Sequence, residues 1–413
     1  MRIIHAADLH IDSQFDGLSE ALSGQADPSL ISGATRSAFA NLVTWALGES
    51  PDALVLAGDI FDGRWRSQST RRIFLEGMSR LHDAGIPVVM ASGNHDAASV
   101  LTDNVAYRET MHVLPVDEAG THVLADAGLA FHGQGYATPA ITESLAAHYP
   151  DPIPGLVNIG VLHANVGHSS AHGNYSPCTE QDLVNLGYSY VALGHIHQRQ
   201  VMTEGERIFA SYPGNLQGRS IRETGAKGAV MVDLADPSRP RVDFHPLDVL
   251  RWESLRIDAS DVKDIDTVLS LIDQHQRAVR TAHLGLPLIL RVDITARSPL
   301  LALIRADEGF EDLVRDVCTG VLVEKVRVHS AGEDATQALP IDAELRVELE
   351  QAVARLTPAE VSSLLTDVRG RVRQALAESG PDLTSAEYLS GLIADAGNDL
   401  LMELTEGASG ARP

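Results

Sequence analysis

The sequence contains no apolar run close to the roughly 20 residues that a membrane span needs. It has only two cysteines, Cys178 and Cys318, which are too far apart in the chain to suggest a disulfide framework or a zinc site. The stretch MRIIHAADLH lacks the basic flank and apolar core of a signal peptide. These absences argue against a secreted or membrane-spanning protein, and we expect a cytoplasmic one.

Positive charge is also scarce, because the 413 residues include only three lysines and carry a net charge of −24. Residues 1–245 hold 15 basic and 27 acidic residues, and residues 246–413 hold 17 and 29, so neither part is basic. A protein that binds nucleic acid by itself usually presents a basic face. A polyanionic substrate would therefore have to be attracted by a local patch, by bound metal ions or by a partner.

Histidine, in contrast, is concentrated, with 14 of the 17 histidines in residues 1–245. This distribution assigns metal or acid–base chemistry to the first part of the chain. Short apolar runs of strand length alternate there with helical patterns: MRIIHAAD, ALVLAGD, IPVVMASGN, NIGVLHANV and YVALGH. The alternation predicts an α/β layered core, and the polar loops that follow these strands should converge in space.

The pattern changes after Pro246, where strand and helix signals follow in the order βαβαβ up to about Ala331. We therefore predict a first domain over residues 1–245 and a small α+β domain over residues 246–331. A linker containing a proline follows, and the pattern of residues 340–413 predicts amphipathic helical segments. Those last segments are either simple core or a docking site for a partner.

Five motifs, each at the end of a predicted strand, carry candidate metal ligands: Asp8-Leu9-His10, Gly58-Asp59-Ile60-Phe61-Asp62, Gly93-Asn94-His95-Asp96, His163 and Gly194-His195-Ile196-His197. They supply seven side chains that could hold two divalent ions: Asp8, His10, Asp59, Asn94, His163, His195 and His197. Nitrogen and oxygen ligands without a thiolate suit manganese, iron or zinc. His95, beside Asn94, is placed to protonate a leaving alkoxide.

Each motif taken alone has an alternative explanation, because a single Asp-x-His, His-x-His or GNHD can be an ordinary loop or turn. Five such motifs in order, each ending a strand, are hard to explain as turns and favour a metal site. Two adjacent divalent ions can lower the pKa of a water molecule and stabilise an in-line displacement at phosphorus. The residues therefore indicate phosphoryl chemistry.

The order DLH, GDIFD, GNHD, a strand-borne histidine and GHIH resembles the calcineurin-like metallophosphoesterase superfamily. Within it, AADLHIDSQFDGL, VLAGDIFDG and ALGHIHQRQ resemble the DNA double-strand-break nuclease branch typified by bacterial SbcD. The segments AHGNYSPCTEQDL and SYPGNLQGRSIRETGAKG are similar to the YhaO-type exonuclease group. The resemblance covers residues 1–245, and beyond them only the general architecture is similar.

The resemblance implies a two-layer β-sandwich core flanked by helices, with two metal ions that are usually manganese in this branch. One ion would be held by Asp8, His10, Asp59 and His197, and the other by Asp59, Asn94, His163 and His195. Asp59 would bridge the two ions, and His95 would be the catalytic acid. Some relatives have a histidine just after GD that assists catalysis, and Asp62 lies in that region here.

The resemblance also implies a function and partners for the whole chain. Residues 246–331 would be a cap domain that steers DNA toward the site, and the partner would be an SMC-like coiled-coil ATPase. Members of the family commonly dimerise through the nuclease domain. We therefore predict a metal-dependent DNA exonuclease that acts in DNA repair. The alternatives are a nucleotide or cyclic-nucleotide phosphodiesterase, a protein phosphatase, and a non-catalytic scaffold that recruits the ATPase.

Basic residues and histidines outside the motifs are weaker candidates for substrate contacts. Arg64 and Arg66 lead the densest positive stretch of the first part, which continues to Arg71 and Arg72 and is either a solvated helix face or a phosphate contact. A second candidate group comprises Arg219, Arg222 and Lys227. His168 and His172 lack ligand spacing, and we favour ordinary loop histidines over substrate contacts.

Overall fold

The computed structural model describes residues 1–13, 15, 28–62, 68–97, 109–167, 175–283 and 285–331. Its helices are Pro28–Ser32 (α1), Ala34–Glu49 (α2), Gln68–Asp83 (α3), Asn94–Ala97 (α4), Glu180–Asn185 (α5), Ile265–Ala282 (α6), Leu300–Ala306 (α7) and Phe310–Val317 (α8). Within these ranges, none of the helices has the length and apolarity needed to cross a bilayer.

The strands fall into three sheets. The first six-stranded sheet contains Arg2–Ala6 (β1), Ala53–Ala57 (β2), Val88–Ala91 (β3), Met111–Val113 (β4), Gly228–Asp233 (β11) and Arg241–Pro246 (β12). The second contains Gly120–Leu124 (β5), Leu129–Gly133 (β6), Val157–His163 (β7), Tyr190–Gly194 (β8), Gln200–Glu204 (β9) and Arg207–Tyr212 (β10). The third contains Arg251–Ala259 (β13), Leu288–Ala296 (β14) and Leu322–Ser330 (β15).

Both large sheets have a parallel centre, with antiparallel strands at one edge of the first sheet and at both edges of the second. The first runs in the order β12-β11-β1-β2-β3-β4, with β1 to β4 parallel, and the second in the order β5-β6-β7-β8-β10-β9, with β6, β7, β8 and β10 parallel. Every residue of β2, β7 and β8 is buried. Strands covered on both faces read as continuous apolar runs, which is why the sequence shows them so clearly.

The inner faces of the two large sheets form a common core. Ile3 and Val55 of the first sheet pack with Phe131 and Val161 of the second in one buried cluster. On the outer face of the first sheet, α2 and α3 cover a second cluster that includes Phe39. The molecule is therefore a β-sandwich flanked by helices, and the carboxyl ends of its central strands meet at one rim.

The third sheet is entirely parallel, because α6 connects β13 to β14 and the α7–α8 pair connects β14 to β15. The helices pack on one face of this sheet in a cluster around Leu255 and Val292. At the start of the strands, Trp252 and Ile289 bury against Ile31 of α1. This apolar contact joins the small sheet to the first large one.

The predicted fold class, an α/β protein with a two-layer sandwich core and helices on its faces, is confirmed. The one helical segment expected between β14 and β15 is two helices, because Asp307 accepts a hydrogen bond from the Gly309 N–H and the chain turns there. The helical segment predicted for residues 340–413 lies outside the described residues. The predicted domain limits stay predictions.

Candidate metal centre

The loops that follow β1 and β2 stay paired beyond the ends of the strands. The Asp8 N–H donates to Gly58 O and the His10 N–H to Asp59 O, both at 3.0 Å. The backbone of Asp8, His10 and Asp59 has positive φ, at 51°, 42° and 51°. Non-glycine residues adopt this strained region mostly where a site requires it. The pairing of the two loops and the positive φ angles thus hold Asp8, His10 and Asp59 close to one another.

Asp59 occupies the middle of the site. Its Oδ2 lies 3.4 Å from His163 Nε2 and 3.8 Å from His10 Nε2. Its Oδ1 accepts the backbone N–H of His95 at 2.9 Å. One carboxylate oxygen therefore lies between imidazoles of both large sheets.

The second sheet contributes His163 and His195. The Nδ1–H of His163 donates to Ala57 O at 3.0 Å, which directs its Nε2 to Asn94 Oδ1 at 2.9 Å. The N–H of His195 faces both carboxylate oxygens of Asp8 at 3.1 Å, and its Nδ1 lies 3.3 Å from Asn94 Oδ1. The polar ends of five strands thus meet across the sandwich rather than along one sheet.

His197 closes the cluster on the opposite side from His163. Its Nε2 lies 3.2 Å from His10 Nε2 and 3.8 Å from Asp8 Oδ1. Its Nδ1 lies 2.7 Å from Glu223 Oε1. The ring is therefore held between a carboxylate on one side and the cluster on the other.

The structure brings all seven candidate ligands together. Three groups have ligand atoms within 4.8 Å of one another: Asp8, His10 and His197; His10, Asp59 and His95; and Asp8, Asp59 and His163. Asn94 joins His163 and His195 to these groups. His10 Nδ1 is buried and has no hydrogen-bond partner among the described residues. Imidazole nitrogens and carboxylate oxygens crowded in this way fit two divalent cations of the manganese, iron or zinc type.

Gly93 and Gly58 leave space for the side chains of Asp59 and His163. A Cβ on Gly93 would overlap a carboxylate oxygen and the backbone nitrogen of Asp59. Gly58 has a φ of 90°, and a Cβ there would overlap the ring of His163. Both glycines of the GD and GN motifs are thus required by contact with the site as well as by turn geometry.

Burial and mutual charge pull the pKa values of the cluster in opposite directions. Burial raises the pKa of Asp8 above its ordinary range. Burial also opposes ionisation of Asp59, but His163 and its other imidazole neighbours hold its pKa well below the ordinary value. Although burial works against a charge on His163, Asp59 raises its pKa to about 9. A bound cation would relieve this conflict by neutralising both carboxylates while the imidazoles stay neutral.

His95 differs from the other histidines of the cluster, because 42% of its side chain is exposed whereas His10 and His163 are buried. Its Nδ1 lies 3.4 Å from Asp62 Oδ1, and this hydrogen bond raises the pKa of His95. Asp62 also accepts a hydrogen bond from Ser13 Oγ at 3.1 Å. An imidazolium that is open to solvent and oriented by a carboxylate can donate a proton from its Nε2.

The sequence matches known protein families. A family model for calcineurin-like phosphoesterases matches residues 1–199, and one for the middle domain of metallophosphoesterase YhaO matches residues 252–331. The chain is 32% identical over 304 residues to the metallophosphoesterase YhaO of Bacillus subtilis (strain 168), covering 72% of each chain. It belongs to the calcineurin-like metallophosphoesterases of the YhaO type. Membership of this superfamily implies a hydrolase with a dinuclear divalent metal site.

A second relative of this metallophosphoesterase is the SbcD component of the nuclease SbcCD of Bacillus subtilis (strain 168). It is 30% identical over 275 residues, which cover 56% of this chain and 66% of the relative. Among solved structures, a dimetal phosphatase from Danio rerio aligns over 59% of this chain and 98% of its own at 11% identity and a TM-score of 0.35. That score is too low to carry a conclusion.

Sequence reasoning gave no role to Asp96 of the metallophosphoesterase. Its buried carboxylate accepts the N–H groups of Ile60 (3.1 Å), Phe61 (2.9 Å) and Gly93 (3.0 Å), and so ties the Asp59 loop to the Asn94 loop. Burial and the charge of Asp59 raise the pKa of Asp96 to about 6. Asp96 is the fourth residue of GNHD, but the motif alone does not tell whether its side chain binds a metal ion or supports the neighbouring loops.

The basic candidates have different outcomes in the metallophosphoesterase. Arg64 and Arg66 lie outside the described residues, as do His168 and His172. Arg72 is exposed on α3 and pairs with Glu76 at 3.6 Å. From the second group, Lys227 Nζ donates to His197 O at 2.9 Å, Arg219 lies at the same histidine, and Arg222 is exposed.

Proposed function

We propose that this metallophosphoesterase is a DNA exonuclease that hydrolyses phosphodiester bonds from DNA ends and acts in DNA repair with an SMC-like coiled-coil ATPase. The observation that carries the proposal is the convergence of seven metal-type side chains next to one exposed, carboxylate-oriented histidine, His95. The similarity to one component of a nuclease supports DNA as the substrate.

The distances support the proposed assignment of ligands to two ions. Asp8, His10, Asp59 and His197 would hold one ion, and Asp59, Asn94, His163 and His195 the other, with Mn²⁺ as the proposed metal. When bound, two such ions orient the phosphodiester, make a water molecule acidic enough to attack it and stabilise the developing charge. Asp59 is the proposed shared ligand because one of its oxygens, Oδ2, lies near both His10 Nε2 and His163 Nε2.

His95 is the proposed general acid. Because its Nδ1 faces Asp62, the imidazolium of His95 would have a transferable proton at Nε2. The backbone N–H of His95 donates to Asp59 and fixes the distance between the acid and the cluster. The departing oxygen of the DNA strand would take this proton, which typically accelerates such a step by about 10²–10⁴-fold.

The remaining parts of the chain fit a protein that shares the work of binding DNA. Its charge of −24 favours an arrangement in which a partner attracts the polyanion. Residues 1–245 would be the nuclease domain, residues 246–331 a cap domain that orients DNA, and residues 340–413 a helical docking region. Phosphate contacts by Arg64 and Arg66, a homodimer and a cytoplasmic location stay predictions.

The test uses the purified full chain, linear duplex DNA labelled at either end, and added Mn²⁺. We expect shortening from one end that is abolished by EDTA and by His95→Ala, with the fold of the variant unchanged by circular dichroism. The labelled end that is lost first gives the polarity. If the His95→Ala variant degraded DNA at the native rate, the proposed catalytic role would be wrong.

A model phosphodiester, assayed on the same metal-loaded sample, separates the alternatives. If the protein hydrolyses the diester but leaves the DNA intact, the substrate is a small molecule such as a nucleotide or a cyclic nucleotide. If adding the ATPase partner then produces DNA shortening, the substrate is DNA and the partner is required. If the protein hydrolyses no phosphate ester, either alone or with the partner, the result would favour a non-catalytic scaffold. DNA shortening by the chain alone would exclude the scaffold.

A further inference from the structure

Glu223, on the loop between β10 and β11, is tied to the candidate ligand His197. His197 Nδ1 lies 2.7 Å from Glu223 Oε1, and only 12% of the glutamate side chain is exposed. The last metal-ligand motif of the sequence ends at His197, and Glu223 lies 26 residues beyond it. We propose that Glu223 is a positioning residue that sets the tautomer and orientation of His197 for one of the two metal ions.

The two nitrogens of the His197 ring have different neighbours. Nδ1 has Glu223 Oε1 as its nearest partner at 2.7 Å and Arg219 Nη2 farther away at 3.3 Å. Nε2 faces the cluster, 3.2 Å from His10 Nε2 and 3.8 Å from Asp8 Oδ1. A neutral imidazole carries one proton, and a carboxylate at Nδ1 keeps that proton there. The lone pair of Nε2 then points into the cluster, as a metal ligand requires.

Glu223 can only accept hydrogen bonds where it lies. Its Oε2 receives the backbone N–H of Arg219 at 2.7 Å and the side-chain amide of Asn215 at 2.9 Å, while Oε1 faces His197. The Arg219 guanidinium adds a charge contact at 3.4 Å. Every partner is therefore a donor, and the carboxylate is held ionised and in one orientation.

The loop also supports His197 through its backbone. Lys227 is buried, and its Nζ donates to His197 O at 2.9 Å, while the Asn215 N–H faces the same carbonyl at 3.4 Å. Both the ring and the main chain of His197 are thus held from residues 215–227. Such carboxylate support of a metal-ligating histidine typically changes metal affinity by about 10–100-fold.

Glu223→Gln is an informative substitution, because it keeps the shape and replaces one acceptor oxygen by a donor. If the new NH₂ faces His197, the ring must move its proton to Nε2 and lose the lone pair that faces the cluster. If the NH₂ faces the other way, it meets the donors of Arg219 and Asn215. Glu206→Gln is the matched control, since Glu206 pairs with Arg239 at 2.9 Å but is 87% exposed.

The inference rests on the proposed function only in taking His197 as a metal ligand, and its test reads metal binding rather than nuclease activity. Titration of metal-free protein with Mn²⁺ in a calorimeter should show two sites in the native chain. We expect Glu223→Gln to weaken one site by about 10–100-fold and to leave the other unchanged, with Glu206→Gln like the native chain. General damage to the fold would weaken both sites.

A double-mutant cycle with His197→Ala tests whether Glu223 affects Mn²⁺ binding through His197. If Glu223 acts through His197, adding Glu223→Gln to His197→Ala causes no further loss of Mn²⁺ affinity. An equal loss in both backgrounds, or two native sites in Glu223→Gln, would overturn the inference and leave the proposed function intact. A native chain that binds fewer than two ions would overturn both.

A second measurement does not depend on folding of the variant. In the native, metal-free protein, ¹⁵N-labelled histidine spectra report which ring nitrogen carries the proton, with His197→Ala identifying the signal. We expect His197 to be protonated at Nδ1. A proton on Nε2 alone would contradict the proposed role of Glu223.

Discussion

Asp62 Oδ1 lies 3.4 Å from Nδ1 of His95, and Ser13 Oγ holds the other carboxylate oxygen at 3.1 Å. The carboxylate therefore lies directly beside the proposed general acid. It cannot itself donate a proton while ionised, but it can hold the His95 ring and favour the imidazolium. Asp62 would therefore act by orienting His95, the proposed general acid, and not by contacting the substrate.

We predict that Asp62→Asn lowers the rate most for substrates with poor leaving groups. Protonation by His95 matters for a DNA alkoxide and little for a p-nitrophenolate, so kcat on DNA should fall about 10–10³-fold and on the p-nitrophenyl diester much less. Both rates are measured with one metal-loaded sample. Asp62→Asn added to His95→Ala should cost nothing more, and an additive loss would contradict the prediction.

Gly93→Ala should remove metal binding, because the new Cβ would displace Asp59, the proposed bridging ligand. We expect loss of both Mn²⁺ sites in a calorimetric titration, with secondary structure retained. Gly48→Ala is the control: it lies in α2, and within the described residues nothing is within 4 Å of its Cβ. This change should leave metal binding unchanged and stabilise the protein by up to about 1 kcal/mol. Native affinity in Gly93→Ala would contradict the account.

His5 should make the stability of the protein sensitive to mild acid. It is fully buried between the sheets, with Nδ1 2.9 Å from Tyr190 Oη and Nε2 3.2 Å from Leu193 O. Burial lowers the pKa of His5 from 6.5 to about 3. Between these values the unfolded chain binds a proton that the native one does not, so stability is lost as the pH falls below 6.5.

The measurement is the free energy of unfolding in urea, from pH 7 to pH 4, for metal-free native protein and His5→Gln. The native curve should fall more steeply, by up to about 1.4 kcal/mol per pH unit in that window. Contributions from other residues are common to both proteins and cancel in the difference. Parallel curves would show that His5 is not the buried neutral group described.

The ion pair at the start of β13 should matter for stability more than a surface pair of similar length. Arg251 binds both oxygens of Asp248 at 2.8 Å, and the side chains are 9% and 1% exposed. Removing one partner leaves a buried charge, so Asp248→Ala should cost about 3–5 kcal/mol.

Asp233→Ala is the comparison, because Arg241 reaches that carboxylate at 2.7 Å but is 76% exposed. It should cost only about 1 kcal/mol. Urea unfolding of both variants, with metal absent, checks the difference. Equal losses would mean that burial does not determine the contribution of these pairs.

Much of the fold could be predicted from the sequence because its central strands are buried on both faces. The runs around Ile3, Val55 and Val161 are continuous and apolar, and each ends in a motif. The division of those strands between two facing sheets could not be predicted from the residues alone, since a buried strand looks the same in either sheet. It came from the resemblance of the motifs to a known family.

The site shows the same limit. The candidate ligands could be predicted because each immediately follows a strand, but Glu223 lies on an irregular loop with no periodic pattern. Asp96 stands within GNHD, yet its contacts with Ile60 and Phe61 join segments far apart in the chain. Residues that hydrogen-bond to the site from a distant part of the chain show no pattern in the neighbouring sequence. They are identified only from the folded structure.

The pairing of the loops after β1 and β2 has a consequence for the choice of ion. Three backbone hydrogen bonds, from Asp8 to Gly58, from His10 to Asp59 and from Ile11 to Ile60, each 3.0 Å long, continue the sheet into the site. The main chain therefore determines how far Asp8 and His10 stand from Asp59, and neither loop can slide to suit a larger cation. We expect the centre to select divalent ions by ionic radius, with calcium too large to activate it.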